Sequence, residues 1–222
     1  HRAPDLDAAI ELGGEDAKLL YLSNGVELRM NEACAGGTGA FIDQMASLLD
    51  VDAAGLNKLA SEAQISHPMA SRCGVFAKTD LVALLNGGVP KSEVARSVLD
   101  AVAEQTVSGL ACGRPVRGKI AFLGGPLTFL SELRAAFERR LSSTGTTFAS
   151  FCDAHCAVAI GAALEGMDPA SRAHRSRVWH SIDDLVREIL AAASENRGSG
   201  LPPLFKIRQS GKPSPSATPR TG

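Results

Sequence analysis

The stretch AAIELGGEDAKLLYL, residues 8–22, decides the fold because it holds two apolar runs separated by a turn signal. Residues 8–12 and 17–22 have the length and apolar character of short strands. The turn at 13–16 lies between them, and its two glycines permit a positive φ. We therefore predict an antiparallel hairpin here. A second turn signal follows, and residues 26–30 then predict a third antiparallel strand.

The rest of the chain alternates helical and strand patterns. Residues 90–111 carry the longest amphipathic stripe, formed by Val94, Val98, Val102, Val107 and Leu110. The apolar spacing predicts helices at about 39–49, 53–63, 77–86, 90–111, 127–141 and 154–165, the last closed by Gly166, and strands at 119–123 and 146–151. Such alternation predicts an α/β fold, with helices packed on a mixed sheet.

The character of the sequence changes near residue 167, so we predict three parts. Residues 1–166 form the α/β lobe, and 167–193 add one amphipathic helix, predicted at 182–193. Residues 194–222 are rich in Gly, Pro, Ser and Arg, which predicts a disordered tail.

Composition limits the classes of function. The 222 residues carry 23 Lys and Arg against 24 Asp and Glu, a balance that argues against nucleic-acid and membrane-surface binding. No apolar run approaches the roughly 18 residues of a membrane span, and five cysteines form no secreted-type framework. We therefore predict a cytoplasmic protein whose partners are proteins or small molecules.

Two cysteines lie in glycine-rich segments that open predicted helices. Cys34 belongs to NEACAGGTG, residues 31–39, and Cys73 to SRCGVFAK, residues 71–78. The positive end of a helix favours a thiolate and a thiolate-bound metal centre. Iron–sulfur clusters generally take four thiolates, and one chain supplies two of them here. A homodimer would supply all four. The competing interpretation is that each cysteine is a small buried hydrophobic residue.

Three segments carry a resemblance to a known family. They are IELGGEDAK at 10–18, CAGGTGAF at 34–41 and GRPVRGK at 113–119. Together with the Gly-Gly turn at 124–125, they make residues 1–166 resemble the BadF/BadG/BcrA/BcrD-type activator ATPases of 2-hydroxyacyl-CoA dehydratases and benzoyl-CoA reductases. The resemblance is strongest to the activase modules of long fused activators.

The resemblance implies an actin-like, sugar-kinase-like ATPase built from two ribonuclease-H-like lobes, of which this chain is the second. It also implies a [4Fe–4S] cluster held by Cys34 and Cys73 of two protomers, either a homodimer or paired modules. An activator of this kind receives electrons from a donor such as ferredoxin or flavodoxin. It delivers one low-potential electron, at the cost of ATP, to a dehydratase-like or benzoyl-CoA reductase-like component.

The same resemblance implies the nucleotide contacts. Glycine turns and helix N-termini allow backbone amides to approach phosphate oxygens, and acidic side chains hold Mg²⁺ or orient the attacking water. The implied ATP-binding residues are Gly13, Gly14, Lys18, Gly36, Gly37, Thr38, Gly39, Gly124, Gly125 and Pro126, and the implied catalytic residues are Glu15 and Asp16. Most activators have Gln at the position of Glu15, which weakens the assignment of water positioning to this residue.

Other interpretations stay open at this stage. A truncated, inactive lobe or interaction module would keep the fold without binding ATP or iron, and a small-molecule kinase would leave the two cysteine segments unexplained. Among the remaining candidates, Cys112 is expected to pack in the core and His67 to form a local hydrogen bond. Cys152 and Cys156 are four residues apart and would share a helix face, as in a redox or metal pair.

Overall fold

The computed structural model describes residues 5–23, 25–31, 36–70, 74–142, 145–167, 181–184 and 186–187. The chain divides into two compact units, His1–Gly166 and Met167–Gly222.

The first unit is built on a five-stranded mixed sheet with the order β3-β2-β1-β4-β5. Its strands are β1 Ala8–Leu12, β2 Ala17–Tyr21, β3 Glu27–Met30, β4 Lys119–Leu123 and β5 Thr147–Ala149. The first three pair antiparallel, which confirms the predicted hairpin and third strand. Strand β4 lies parallel to both β1 and β5. The carboxyl ends of β1 and β4 therefore meet at the same edge of the sheet.

Helices follow β3, β4 and β5 along the chain. Their bounds are α1 Gly39–Leu48, α2 Ala53–Ser61, α3 Gly74–Asn86, α4 Lys91–Ala111, α5 Gly125–Phe129, α6 Ser131–Leu141 and α7 Ala157–Met167, with a 3-10 turn at Ala154–Cys156 before α7. The predicted stripe on α4 is buried along its whole length, from Val94 to Leu110. Burying a side chain of this size stabilises the fold by roughly 1.5–3 kcal/mol, so α4 is the main support of the helical layer.

One hydrophobic core lies between the helices and one face of the sheet. Ile10 and Leu12 of β1, Leu19 of β2 and Ile120 of β4 belong to it, together with buried residues of α1, α2, α4 and α6. Successive side chains of a strand point to opposite faces. Glu11 therefore points away from this core, although it is also buried.

The predicted helix at 127–141 is wrong, because the structure has two helices there. Leu130 adopts an extended conformation, with φ −102° and ψ 96°, between α5 and α6. The Asn57 side chain accepts a hydrogen bond from the Glu132 amide (2.8 Å), and Arg134 donates to the Leu127 carbonyl (3.1 and 3.0 Å). These side chains, Asn57 from a distant helix and Arg134 from α6 itself, satisfy backbone groups that the break would otherwise leave unpaired.

Smaller differences concern element ends. Helix α3 begins at Gly74, three residues earlier than predicted. The segment predicted as a helix at 154–165 opens as a 3-10 turn and continues past Gly166 to Met167. Strand β5 has three residues, half the length of the predicted 146–151 run.

Little of the second unit is described. Residues 182–184 and 186–187 are helical, and the Asp184 amide is capped by the Ser181 hydroxyl (3.1 Å). The rest of the helix predicted at 182–193, and the predicted disordered tail at 194–222, lie outside the described residues. Among the helices that are described, none has the length and apolar character needed to cross a membrane.

Candidate functional site

A concavity of about 480 Å³ opens at the edge where β1 and β4 end. Three segments that are far apart in sequence line it. They are the turn after β1, with Gly14 and Glu15, the start of α1, with Gly39, and the start of α5, with Gly125 and Pro126. Most of the other lining side chains are apolar, among them Ile42, Ala53, Phe129 and Leu130. A largely apolar cavity with a few converging polar groups is the usual form of a small-molecule site.

The turn after β1 is fastened to α1 by two hydrogen bonds. The amide of Gly39 donates to the Gly13 carbonyl (3.0 Å), and the amide of Ala40 donates to the Gly14 carbonyl (2.7 Å). These two helix-opening amides are therefore already used within the chain. A Cβ on Gly39 would lie 3.2 Å from the Gly13 carbonyl oxygen, so glycine allows the two segments to meet.

The amides of the turn itself differ from those of α1. Within the described part of the chain, the amides of Gly14 and Glu15 donate no hydrogen bond to protein atoms. Neither Gly13 nor Gly14 has a positive φ, so the conformational freedom predicted for them is not what the turn uses. A Cβ on Gly13 would meet Asp16 Oδ1 at 2.0 Å, whereas one on Gly14 would meet nothing within 4 Å.

The second Gly-Gly pair follows β4 and has a different constraint. Gly124 has a φ of +89°, and a Cβ there would lie 2.0 Å from the backbone carbonyl oxygen of Leu12. Close approach of β1 thus requires glycine at 124. Gly125, the first residue of α5, would place its Cβ in open space. Pro126 follows at a position where a helix needs no amide donor.

Gly36, Gly37 and Thr38, which were predicted to bind ATP, precede α1, and the first two lie against α4. Gly37 has a φ of +83°, and its carbonyl accepts a hydrogen bond from the Thr106 hydroxyl (3.2 Å). A Cβ on Gly36 would overlap the Gln105 side chain. Thr38 is completely buried and its hydroxyl does not cap the helix. None of these three residues lines the concavity, in contrast to Gly39.

The two predicted acidic residues lie in different surroundings. Glu15 lines the concavity. Asp16 forms an ion pair with the Lys18 ammonium (2.5 Å), which also contacts Glu11 (2.7 Å). Burial lowers the pKa of Lys18, but its hydrogen bonds to Asp16 and Glu11 outweigh that effect and hold the pKa above its ordinary value.

Sequence reasoning missed Glu11. It is only 7% exposed and lies directly opposite Lys18 in the β1–β2 ladder. The hairpin register contained the signal, since a four-residue turn after Leu12 places Glu11 beside Lys18. Sequence reasoning also missed Asn31, whose side chain accepts from the Ala17 amide (2.7 Å) and so holds the end of β3 against the turn.

Comparison with known proteins identifies the family. The model of the BadF/BadG/BcrA/BcrD ATPase family matches residues 2–166, which is most of the chain. This chain belongs to the BadF/BadG/BcrA/BcrD ATPase family. The prediction made from the three sequence segments is thereby confirmed.

Curated members of the family are similar at the level of sequence. One is the (R)-2-hydroxyglutaryl-CoA dehydratase activating ATPase of Acidaminococcus fermentans, 31% identical over 124 residues, which are 55% of this chain and 47% of that protein. Another is the 2-hydroxyisocaproyl-CoA dehydratase activator of Clostridioides difficile, 32% identical over 125 residues, again 55% and 47%. The chain thus matches about half the length of these BadF/BadG/BcrA/BcrD relatives.

Solved structures of the family agree with the fold. Component A of the A. fermentans dehydratase superposes with a TM-score of 0.65 at 30% identity, covering 72% of this chain and 61% of that one. The C. difficile activator with bound ADPNP gives 0.66 at 28% identity, covering 80% and 66%. These matches confirm the predicted α/β fold of the actin-like ATPases.

The two cysteines predicted as cluster ligands, Cys34 and Cys73, lie outside the described residues, but their neighbours are described. Phe41, in the first turn of α1, packs against Gly74, the first residue of α3. A Cβ on Gly74 would lie 2.9 Å from the Phe41 ring. The helices that follow the two cysteine segments in this family member therefore begin side by side.

The segment before Cys73 is anchored at several points. The Ala70 amide donates to the Asp80 carboxylate (2.7 Å), and His67 contacts Glu93 (2.7 Å), which confirms the local hydrogen bond expected for this histidine. The His67 amide also donates to the Ser97 hydroxyl (2.7 Å). These contacts attach residues 67–70 to α3 and α4.

The other cysteines are exposed. The packing role predicted for Cys112 is wrong, because this residue ends α4 in a left-handed conformation, with φ 47°, and its side chain faces solvent. Cys152 and Cys156 are likewise exposed. Within the described ranges, no three His, Cys, Asp or Glu side chains are grouped as metal ligands.

Proposed function

We propose that the protein to which this chain belongs is an ATP-dependent activator. It delivers a low-potential electron to a 2-hydroxyacyl-CoA dehydratase-type or benzoyl-CoA reductase-type partner. Two similar proteins of the same family carry dehydratase-activator names, and a solved relative holds ADPNP. The observation that carries the proposal is the meeting of three distant glycine segments at one concavity.

The concavity suits a nucleotide on chemical grounds. The turn amides of Gly14 and Glu15 supply donors that the protein does not use, and phosphate oxygens are strong acceptors for such donors. The apolar wall formed by Ile42, Phe129 and Leu130 suits a nucleobase. Gly14 and Gly125 leave the space that a side chain would fill.

The acidic residues beside the turn suit magnesium. Mg²⁺ is usually bound by one or two carboxylates together with phosphate oxygens and water, so a group of three protein ligands is not needed. Asp16 would hold the ion, and Glu15, which lines the concavity, would orient the attacking water. When bound, Mg²⁺ neutralises charge on the transferred phosphoryl group.

Cys34 and Cys73 would hold the [4Fe–4S] cluster jointly with the same residues of a second copy or a paired module. The contact of Phe41 with Gly74 supports this, because it brings together the helices that follow both cysteines. Helix α3 also exposes two apolar side chains that follow Cys73 closely in the sequence, Val75 (70% exposed) and Phe76 (64% exposed). A bound cluster would store one electron, supplied by a donor such as ferredoxin or flavodoxin.

A binding titration tests the nucleotide part. We expect residues 1–222 to bind a fluorescent ATP analogue, and G14V and G125V, which fill the concavity, to weaken binding at least about tenfold. The matched control is G109V, because Gly109 lies on α4 away from the concavity and a Cβ there meets nothing within 4 Å. Equal binding by all four proteins would refute the site.

Anaerobic reconstitution tests the cluster part. We expect a brown protein with about two iron and two sulfide ions per chain, as four of each shared by two chains require. Both C34S and C73S should lose iron and dimer together, as measured by metal analysis and light scattering, while C112S serves as the matched control. A colourless, metal-free wild type would favour the alternative of an interaction module without cluster or catalysis.

A further inference from the structure

Lys18 has surroundings that nucleotide binding alone does not explain. Its ammonium lies 2.7 Å from Glu11 Oε2 and 2.5 Å from Asp16 Oδ2, so one cation neutralises two carboxylates. The side chains of Lys18 and Glu11 are only 23% and 10% exposed. The Glu11 carboxylate at this depth is poorly screened by solvent and needs a nearby cation, whereas the Asp16 side chain is 42% exposed.

A divalent cation and the ammonium of Lys18 would compete for the same oxygens. Asp16 directly follows the turn whose Gly14 and Glu15 amides are open, so a phosphate at the turn would bring its Mg²⁺ within the surroundings of Asp16. Two cations a few ångströms apart repel each other strongly in a partly buried site. The two arrangements therefore exclude each other.

We propose that Lys18 is an exchangeable counter-ion. It occupies the Glu11–Asp16 carboxylate pair in the nucleotide-free protein, and a divalent cation arriving with the nucleotide replaces it there. Once displaced, the ammonium is free to contact the phosphates, which carry the compensating negative charge. This inference rests on the proposed function, because that function supplies the metal–nucleotide complex.

The test uses Mn²⁺ alone as the probe, in the absence of nucleotide. Free Mn²⁺ is followed by its electron paramagnetic resonance signal during titration of the full chain. We expect K18M to bind one Mn²⁺ at least about tenfold more tightly than the wild type, because the carboxylate pair is then unoccupied. K18R, which keeps the positive charge, should bind as weakly as the wild type.

Two matched variants assign the effect to this pair. In K91M the lysine removed pairs with Asp50 at an exposed site (3.4 Å), and we expect no gain in Mn²⁺ binding. In the double variant E11Q/K18M the gain should disappear. Equal Mn²⁺ affinity of K18M and the wild type, or a gain that survives E11Q, would overturn the proposal.

A stability measurement covers the case in which K18M folds poorly. Removal of Lys18 leaves Glu11 and Asp16 without their cation, so K18M should melt at a lower temperature than the wild type. We expect Mn²⁺ to raise the melting temperature of K18M and not that of E11Q/K18M. Failure of this rescue would overturn the exchange model, whereas the proposed nucleotide site is tested separately by G14V and G125V.

Discussion

Gly13-Gly14 and Gly124-Gly125 follow two neighbouring parallel strands and have the same sequence, but the fold constrains them differently. The first glycine of each pair faces protein: Gly13 faces the Asp16 side chain, and Gly124 faces the backbone of Leu12. The second glycine of each pair faces open space. In each dipeptide the first glycine is therefore required by the fold, and the second leaves space that a ligand can occupy.

The largest effect is expected for G124A. Alanine at a φ of +89° is strained, and its Cβ would overlap a backbone oxygen, which cannot rotate away as the end of a side chain can. We expect a loss of more than about 3 kcal/mol in the free energy of unfolding, measured by urea denaturation followed by circular dichroism. An unchanged urea midpoint for G124A would contradict the different roles assigned to Gly124 and Gly125.

The next largest effect is expected for G13A. The added Cβ meets Asp16 Oδ1, the end of a side chain that can rotate, so the loss should be about 1–2 kcal/mol. A double-mutant cycle with D16A gives the control, since removal of the Asp16 carboxylate should relieve most of the cost. Strictly additive losses would show that the clash does not explain the glycine.

N57A tests the break between α5 and α6, which follows the second glycine pair along the chain. The Asn57 side chain, from α2, accepts a hydrogen bond from the Glu132 amide at the start of α6, so it caps that helix. Its loss should cost about 1 kcal/mol, as for other cap deletions. N57D keeps an acceptor and should retain most of the stability. Equal destabilisation by both changes would contradict the capping role.

The smallest effect on folding is expected for G14A and G125A. Neither position has a positive φ, and the added Cβ meets no atom within 4 Å, so stability should change by less than about 0.5 kcal/mol. Alanine at 125 lies in a helix, where it is slightly preferred over glycine. Both variants should still weaken nucleotide binding in a calorimetric titration. A large loss of stability would remove the contrast with G13A and G124A.

Local patterns predicted much of this fold. The hairpin and the buried stripe of α4 follow from periodicity within a few residues, and the sequence segments at 10–18 and 34–41 indicated the family. The break at Leu130 was not predictable in this way, because Asn57, which satisfies it, lies 75 residues from Glu132. Long-range contacts of this kind have no local sequence signature.

The candidate site was predicted in part. The glycine segments were found from their sequence, and Gly14, Gly39 and Gly125 do line one cavity. The sequence could not predict that the Gly14 and Glu15 amides lack a protein acceptor while those of Gly39 and Ala40 have one. This difference depends on the way the turn at 13–16 packs against α1. Glu11 was missed because a single carboxylate within an apolar strand gives no signal until the hairpin register pairs it with Lys18.

The two hydrogen bonds between the glycine turn and α1 have a mechanical consequence. Gly39 and Ala40 donate to adjacent carbonyls at 3.0 and 2.7 Å, so the turn and the helix are joined at two points and resist both sliding and rotation. A ligand that displaces the turn would therefore also move the first turn of α1. Motion of the β1–β2 turn is in this way transmitted to the whole of α1 as a rigid body.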